Sequence, residues 1–290
     1  MKVSRRLEDP VLSAPMVLFL LALLGFPAVL NILYSFSTVT FETLRAPSFA
    51  GLVNYASVLA DPEFWGAAWF SLRFGALTAV LETVIGLFLA VFLAPLLRQR
   101  PWLMAVLMMP MIIAPAMMGL MYRLLLHEFV GTLPYYLFQW FGNSPAFLSP
   151  EWVFWTVVVI ETLQWTPFTL LLLYMAYESI PQDVNEAAAI DGASSWTTFT
   201  EIELPLMLPT VYVALAIRFI DGFRVFDNIF VLTGSGAGGA TTSMSIYIYQ
   251  SFFRSTEIGS AVAASVLLFV AAFAVLYVAN RVLFRRKVAA

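Results

Sequence analysis

Apolar side chains gather into six long runs along the chain, at 11–33, 70–97, 103–126, 152–177, 206–226 and 259–283. A helix needs about 20 apolar residues to cross the hydrocarbon core of a bilayer, and each run is long enough. The pattern predicts an all-α, polytopic membrane protein of six transmembrane helices packed into one bundle. Residues 1–69 then form an N-terminal tail, a first helix and an external loop, and residues 70–290 form the core. Lys2, Arg5 and Arg6 precede the first run in the manner of a secretory signal. The run is longer than a signal's apolar stretch of about 7–15 residues and lacks a small-x-small cleavage site, so it reads as a retained anchor.

Composition sharpens this class. Hydrophobic residues make up 61% of the 290 positions and charged residues only 11%, against roughly 25% charged in soluble domains. The chain has no cysteine and a single histidine, His127, which excludes thiol chemistry, disulfides and clusters of His/Cys metal ligands. Its lysines are Lys2 and Lys287 alone. A phosphate-cradling G-x-x-x-x-G-K-[ST] loop therefore cannot be formed. Energy for any driven process has to come from elsewhere.

The distribution of Lys and Arg sets an expected orientation. Lys2, Arg5, Arg6, Arg98, Arg100, Arg281, Arg285, Arg286 and Lys287 fall on one side of the alternating runs. Arg45, Arg254, Arg73 and Arg123 fall on the other, the last two close enough to run ends to snorkel outward. Both termini are thus expected in the cytoplasm. One cytoplasmic segment departs from the pattern: residues 178–205 carry six carboxylates and no Lys or Arg.

That segment contains a helix–turn–helix. Asp183 and Glu186 have the spacing of a capping box just after Pro181, which predicts a short helix beginning there. Ala187, Ala188 and Ala189 favour helix and present little bulk, so their face permits close approach by another protein. Gly192 stands where the helix must stop and the chain turn. Ser194 or Ser195 can cap a second helix leading to Leu204 and Pro205. Glu186-Ala187-Ala188, then Gly192, then nine residues, then Ile202-x-Leu204-Pro205 resembles the EAA signature of binding-protein-dependent ABC importer permeases.

The resemblance runs from about residue 70 to 283. Within it FDNIFVLTGSGAGGATTSMSIYIYQSFF (226–253) is similar to the carbohydrate branch, specifically the maltose/glycerol-phosphate-permease-like partner type. The resemblance implies a type I ABC importer fold in a bacterial inner membrane. It implies that loop 181–205 is a coupling helix seated on a separate ATPase, with ATP and Mg bound there and no cofactor in this chain. The implied partners are a second homologous permease, two ATP-binding-cassette subunits, a periplasmic or extracellular solute-binding protein and the lipid bilayer, with no nucleic acid. The implied cargo is a sugar or sugar derivative moved by alternating access.

Charges inside apolar runs are costly and by default suggest function. Arg218, Asp221 and Arg224 recur at i, i+3, i+6; Glu161, Gln164 and Trp165 cluster mid-run; Glu82 lies in the second run. Two readings stand: pairing between helices, or a polar path for a hydroxyl-rich solute with Trp165 and Phe223 as aromatic faces. Pro110, Pro115 and Pro167 interrupt the third and fourth runs and are expected to kink them. Gly234-x-Gly236-x-x-Gly239 formally fits a dinucleotide fingerprint but lacks the flanking strand and helix, and reads as a flexible external loop. The alternative function is a secondary transporter or another membrane subunit without ATP coupling. Inverted internal repeats are missing, and a partner-docking loop is present. His127 alone cannot assemble a Ser–His or His–metal catalytic dyad. The purified chain is expected neither to bind nor to hydrolyse ATP, checked by nucleotide binding and phosphate release; turnover by this polypeptide alone would overturn the assignment.

Overall fold

The computed structural model describes residues 5–234, 237–253 and 256–284. Lys2, Arg254, Arg285, Arg286 and Lys287, invoked for orientation, and Gly236 of the glycine pattern lie outside the described residues. The described residues are almost wholly helical and fall into two compact units, residues 1–64 with 247–290, and residues 65–246.

In the first unit, α1 (Arg5–Leu20) continues through a π turn (Leu21–Gly25) into α2 (Phe26–Ser35). The most apolar stretch of this first span holds no buried residue. A two-residue antiparallel pairing, Ser37–Thr38 with Ser48–Phe49, leads to α3 (Val53–Ala60). Asn54 fastens this turn: its Nδ2 donates to the carbonyls of Ser35 and Ser37, each at 2.9 Å. The long last helix, Ile258–Phe284, packs here, with Ile258 and Val262 against Val39. Tyr247 donates to Asp61 Oδ2 at 2.6 Å, and burial together with that carboxylate pushes its phenol pKa up.

The second unit holds most of α4 (Pro62–Gln99) and everything through α13. Next come α5 (Trp102–Leu107), α6 (Met109–Ile112), α7 (Pro115–Leu125), α8 (Thr132–Phe141) and α9 (Val153–Glu178). They are followed by α10 (Gln182–Ile190), α11 (Ser195–Thr198), a π turn (Phe199–Glu203), α12 (Leu204–Phe223) and α13 (Asp227–Thr233). The last two helices are α14 (Met244–Phe253) and α15 (Ile258–Phe284). One apolar core joins Phe70, Phe74, Val157, Ile160, Ile229 and Leu232; a second joins Ala90, Leu170, Leu173 and Met207.

The third run is not one helix. Ile113 and Ala114 take extended backbone, with ψ of 128° and 137°, because a proline drives the preceding residue out of the α region and offers no N–H of its own. Pro115 thus breaks the span where a kink was expected. Pro110 sits at the start of α6, and Pro167 is accommodated within an unbroken α9. Among the described residues, the remaining five runs are each long and apolar enough to cross a membrane.

The expected external loop after residue 226 is also partly a helix. Asn228, Ile229 and Leu232 of α13 are buried, and α13 packs along α7. Arg123 reinforces that contact by donating to the Val231 carbonyl at 3.2 Å. Beyond α13, Gly234 turns the chain with a φ of 68°.

Helices α4 and α12 cross at two glycines. A Cβ on Gly75 would lie 2.7 Å from the Phe223 nitrogen, and one on Gly222 would lie 2.9 Å from the Gly75 Cα. Small residues at such crossings let backbones meet where no hydrophobic drive separates helix from lipid. Gly222→Leu is expected to cost about 1–3 kcal/mol through overpacking and to lower the melting temperature in detergent. Gly66→Ala, in open space on the same α4, should be neutral or slightly stabilising.

Candidate functional site

Among the described residues, Arg218 is the largest fully enclosed side chain, 1% exposed. Its Nε donates to Glu82 Oε2 at 2.5 Å, its Nη2 to Glu161 Oε1 at 3.3 Å and its Nη1 to Asp221 Oδ2 at 3.2 Å. The fork of one guanidinium therefore joins carboxylates carried by α4, α9 and α12. Its carbon centre also lies 4.6 Å from the Trp165 ring centre, within cation–π range. Asp221 turns its second oxygen to Arg224, whose Nη2 donates at 3.0 Å. Asn228 Nδ2 donates to the free oxygen of Glu161 at 2.5 Å. Every carboxylate of the cluster is ion-paired and hydrogen-bonded, the condition under which charges persist away from water.

The cluster has a closed side and an open side. Glu82 and Arg218 are enclosed, whereas Asp221 is about one-third exposed and Arg224 mostly exposed. A cavity of about 370 Å³ opens on the exposed side, lined by Glu161, Trp165, Asp221, Arg224, Phe226, Asp227 and Asn228, with Pro115 and Val225. It offers acceptors, donors and two aromatic side chains in one concavity, the pattern of a small-molecule site.

The structure thus gathers Glu161, Trp165, Arg218, Asp221 and Arg224 and adds Glu82. It leaves out Gln164, whose Nε2 donates to the Ile113 carbonyl at 2.9 Å. That carbonyl is freed by the break before Pro115, so the glutamine serves the broken span rather than the cavity. Phe223 is buried and stacked on Phe219 at 5.6 Å; Phe226 takes the cavity position. Asn228 and Asp227 were not singled out as site residues by sequence because the chain after Phe226 read as loop. A polar pair followed by an apolar helical stretch, DNIFVL, was the available signal.

The acidic loop forms the hairpin expected of it. Helix α10 ends at Gly192, whose φ is +75°. Ala193 donates to the Ala188 carbonyl at 3.0 Å and Gly192 to that of Ala189 at 3.2 Å, the two bonds of a Schellman closure. Ser194 caps the next helix by accepting from the Thr197 N–H at 3.2 Å. Two expectations fail. Pro181, not Asp183, occupies the N-cap and no side chain caps there; Asp183 instead places its charge in the first turn, complementing the helix dipole. The three alanines do not share one outer face, since Ala188 is buried while Glu186, Ala187 and Ala189 are exposed.

One bond fastens the hairpin to the bundle: Tyr177 near the end of α9 donates to Glu203 Oε1 at 3.0 Å. Beside it, Arg98 at the end of α4 pairs with Glu178, the last residue of α9, at 2.7 Å. From Ser195 the chain stays helical through the π turn into α12, with Ile202, Leu204 and Pro205 at that junction. Ile190 and Trp196 stand out from the hairpin, 86% and 72% exposed. Neither drew notice in the sequence, because single apolar residues in a loop carry no periodicity.

Residues 67–288 match the family described as binding-protein-dependent transport system inner membrane component. A trehalose/maltose transport system permease protein, MalF, from Thermococcus litoralis is 37% identical over 79% of this chain and 78% of its own length. The trehalose transport system permease protein SugA of Mycobacterium tuberculosis is 32% identical, covering 89% of this chain and 83% of its own. The fold is similar to that of a chain in the crystal structure of a bacterial alginate ABC transporter with its pentasaccharide-bound periplasmic protein. That chain has a TM-score of 0.83 and 22% identity, with coverage of 98% and 96%. The chain belongs to the family of binding-protein-dependent transport system inner membrane components, as an ABC importer permease with the type I fold.

Proposed function

We propose that this permease moves a sugar or sugar derivative across the inner membrane, with both termini in the cytoplasm. In this reading it pairs with a second homologous permease, receives solute from an external binding protein and is driven by two ATPase subunits that hold ATP and Mg. The observation that carries the coupling role is the Schellman-closed hairpin 181–205, tied to α9 by Tyr177 and Glu203 and continuous with α12. It presents Glu186, Ala187, Ile190 and Trp196 outward. A short rigid lug joined to two membrane helices turns displacement of a docked partner into rocking of the bundle, a known mode of alternating access. The sugar assignment is supported by the names of the relatives and by the mix of hydroxyl-matching groups and aromatic faces in the cavity.

The polar cluster then has two duties. Arg218, Glu82 and Glu161 hold three helices together, and the open side of Asp221, Arg224, Asn228 and Trp165 borders the solute path. Two variants separate them in the assembled transporter in proteoliposomes. Asp221→Asn leaves Arg218 its bonds to Glu82 and Glu161, so assembly is expected to persist while uptake and binding-protein-stimulated ATPase fall. Arg218→Met strands two buried carboxylates at a cost of about 3–5 kcal/mol, so yield and melting temperature are expected to drop. A stable Asp221→Asn complex with unchanged uptake removes the cavity from the path. For the hairpin, Gly192→Val forces a β-branched residue to positive φ at a cost of about 1–3 kcal/mol. It is expected to insert normally yet lose transport; normal uptake sinks the coupling role.

A further inference from the structure

Between Glu128 and Glu151 the chain carries no charged side chain, and helix α8 lies in that stretch. Only one narrow strip of α8 is packed: Gly131 and Pro134 are buried and Leu137 is half-buried. The rest of its circumference is exposed and aromatic, with Tyr135 57%, Tyr136 47%, Phe138 64% and Trp140 72% exposed. The rings associate along the helix, Tyr136 with Trp140 at 5.6 Å between centroids, and Gln139 donates to the Tyr135 hydroxyl at 3.0 Å. Gly142, at a φ of 71°, ends the helix in a left-handed turn.

This surface is continuous with further exposed apolar residues. Exposed Met121, Leu124 and Leu125 of α7 lead through Phe129 and Val130, 86% and 77% exposed, into α8. An apolar groove lined by Met121, Leu125, Val130, Thr132 and Leu163 runs along the same side. A docking face for a water-soluble protein resembles ordinary surface in composition and has a polar rim; this face carries one charged residue, Glu128, at its edge beside Tyr135 and Phe138. Tyr and Trp combine an apolar ring with a polar tip, which suits them to the headgroup level of a bilayer.

We propose that α8 is a membrane-surface anchor: it lies in the headgroup boundary of the leaflet opposite the 181–205 hairpin, with Tyr136, Phe138 and Trp140 in lipid. Helix α9 crosses between α8 and the hairpin, which places them at opposite boundaries. Anchored there, α8 fixes the depth of the α7–α9 connection in the bilayer. The proposal rests on membership of the membrane family, not on the coupling role or the solute path.

The chain has no cysteine, so single cysteines at Tyr136, Phe138 and Trp140 can each carry a nitroxide in the assembled transporter. The vesicles are of phosphatidylethanolamine and phosphatidylglycerol. Power saturation with oxygen and with a water-soluble nickel chelate reads depth, with acyl-chain-labelled lipids as the deep reference and a label at exposed Glu42 as the aqueous one. The expected result at all three positions is an oxygen-to-nickel accessibility ratio above that at Glu42 and below that of the deep lipid label. Nickel access equal to that at Glu42 would overturn the anchor by showing water. Exclusion of both reagents would overturn it by showing that a protein subunit covers the face.

Discussion

The arrangement of the transport core depends on a single guanidinium placed where water does not reach. A charged side chain at the centre of a bilayer is unfavourable by about 2.5–3.5 kcal/mol on insertion scales, and removal of one partner from a buried pair costs more still. Arg218 meets that penalty by distributing its donors over Glu82, Glu161 and Asp221. A lysine carries three donors around one point, whereas the planar fork reaches three separated carboxylates at once. The bonds fix the relative height of α4, α9 and α12, since sliding any one by a helical turn would strand a carboxylate. The glycine crossing of Gly75 and Gly222 lies one turn beyond Arg218 on α12. Backbone contact there brings Glu82 within reach, so close packing and ion pairing impose the same register.

How much of this could be read from the chain follows from the range of each interaction. Local spacing exposes the Asp221 pairings, because i and i+3 share a helix face. Glu82 and Arg218 are 136 residues apart, and no local pattern announces that bond. The apolar runs locate the spans, since length and polarity are enough to define them. They miss the break in the third run because hydropathy averages over Ile113 and Ala114 while backbone geometry responds to Pro115 alone. Gln164 shows the same limit: a polar residue in mid-span suggests a path, and its bond to the Ile113 carbonyl depends on a break that hydropathy does not register. In the hairpin, Gly192 was legible because positive φ has a residue preference. The N-cap was not, because Asp183–Glu186 has capping-box spacing whether or not the helix starts two residues earlier.

The two candidate sites share a structural element. Helix α9 carries Glu161 and Trp165 at the cavity and Tyr177 and Glu178 at the hairpin. From Glu161 to Tyr177 is sixteen residues, about 24 Å at 1.5 Å per residue. Pro167 falls between them, yet the helix continues past it. A continuous helix is a rigid element of the kind that can carry coupling between two sites, and α9 joins the Glu203 contact to the carboxylate that Arg218 and Asn228 hold.

Helices that move as bodies need joints, and joints are non-helical residues that absorb φ/ψ change. Around the cavity, two such places meet α7 and α13: the extended Ile113–Ala114 pair ahead of α7, and the Arg224–Phe226 segment ahead of α13, where Phe226 has a φ of −138°. The two helices pack on each other and are tied by Arg123 to the Val231 carbonyl, so they form one body. That body is held to the charged cluster through Asn228 and Glu161, and its first joint is held to α9 through Gln164 and Ile113. Asn228 is therefore the point where the enclosed charge network acts on a segment with joints at its ends. Glu161 lines the cavity itself and is joined to the α13 side of its wall by the hydrogen bond from Asn228, while the Gly75–Gly222 crossing holds α4 against α12.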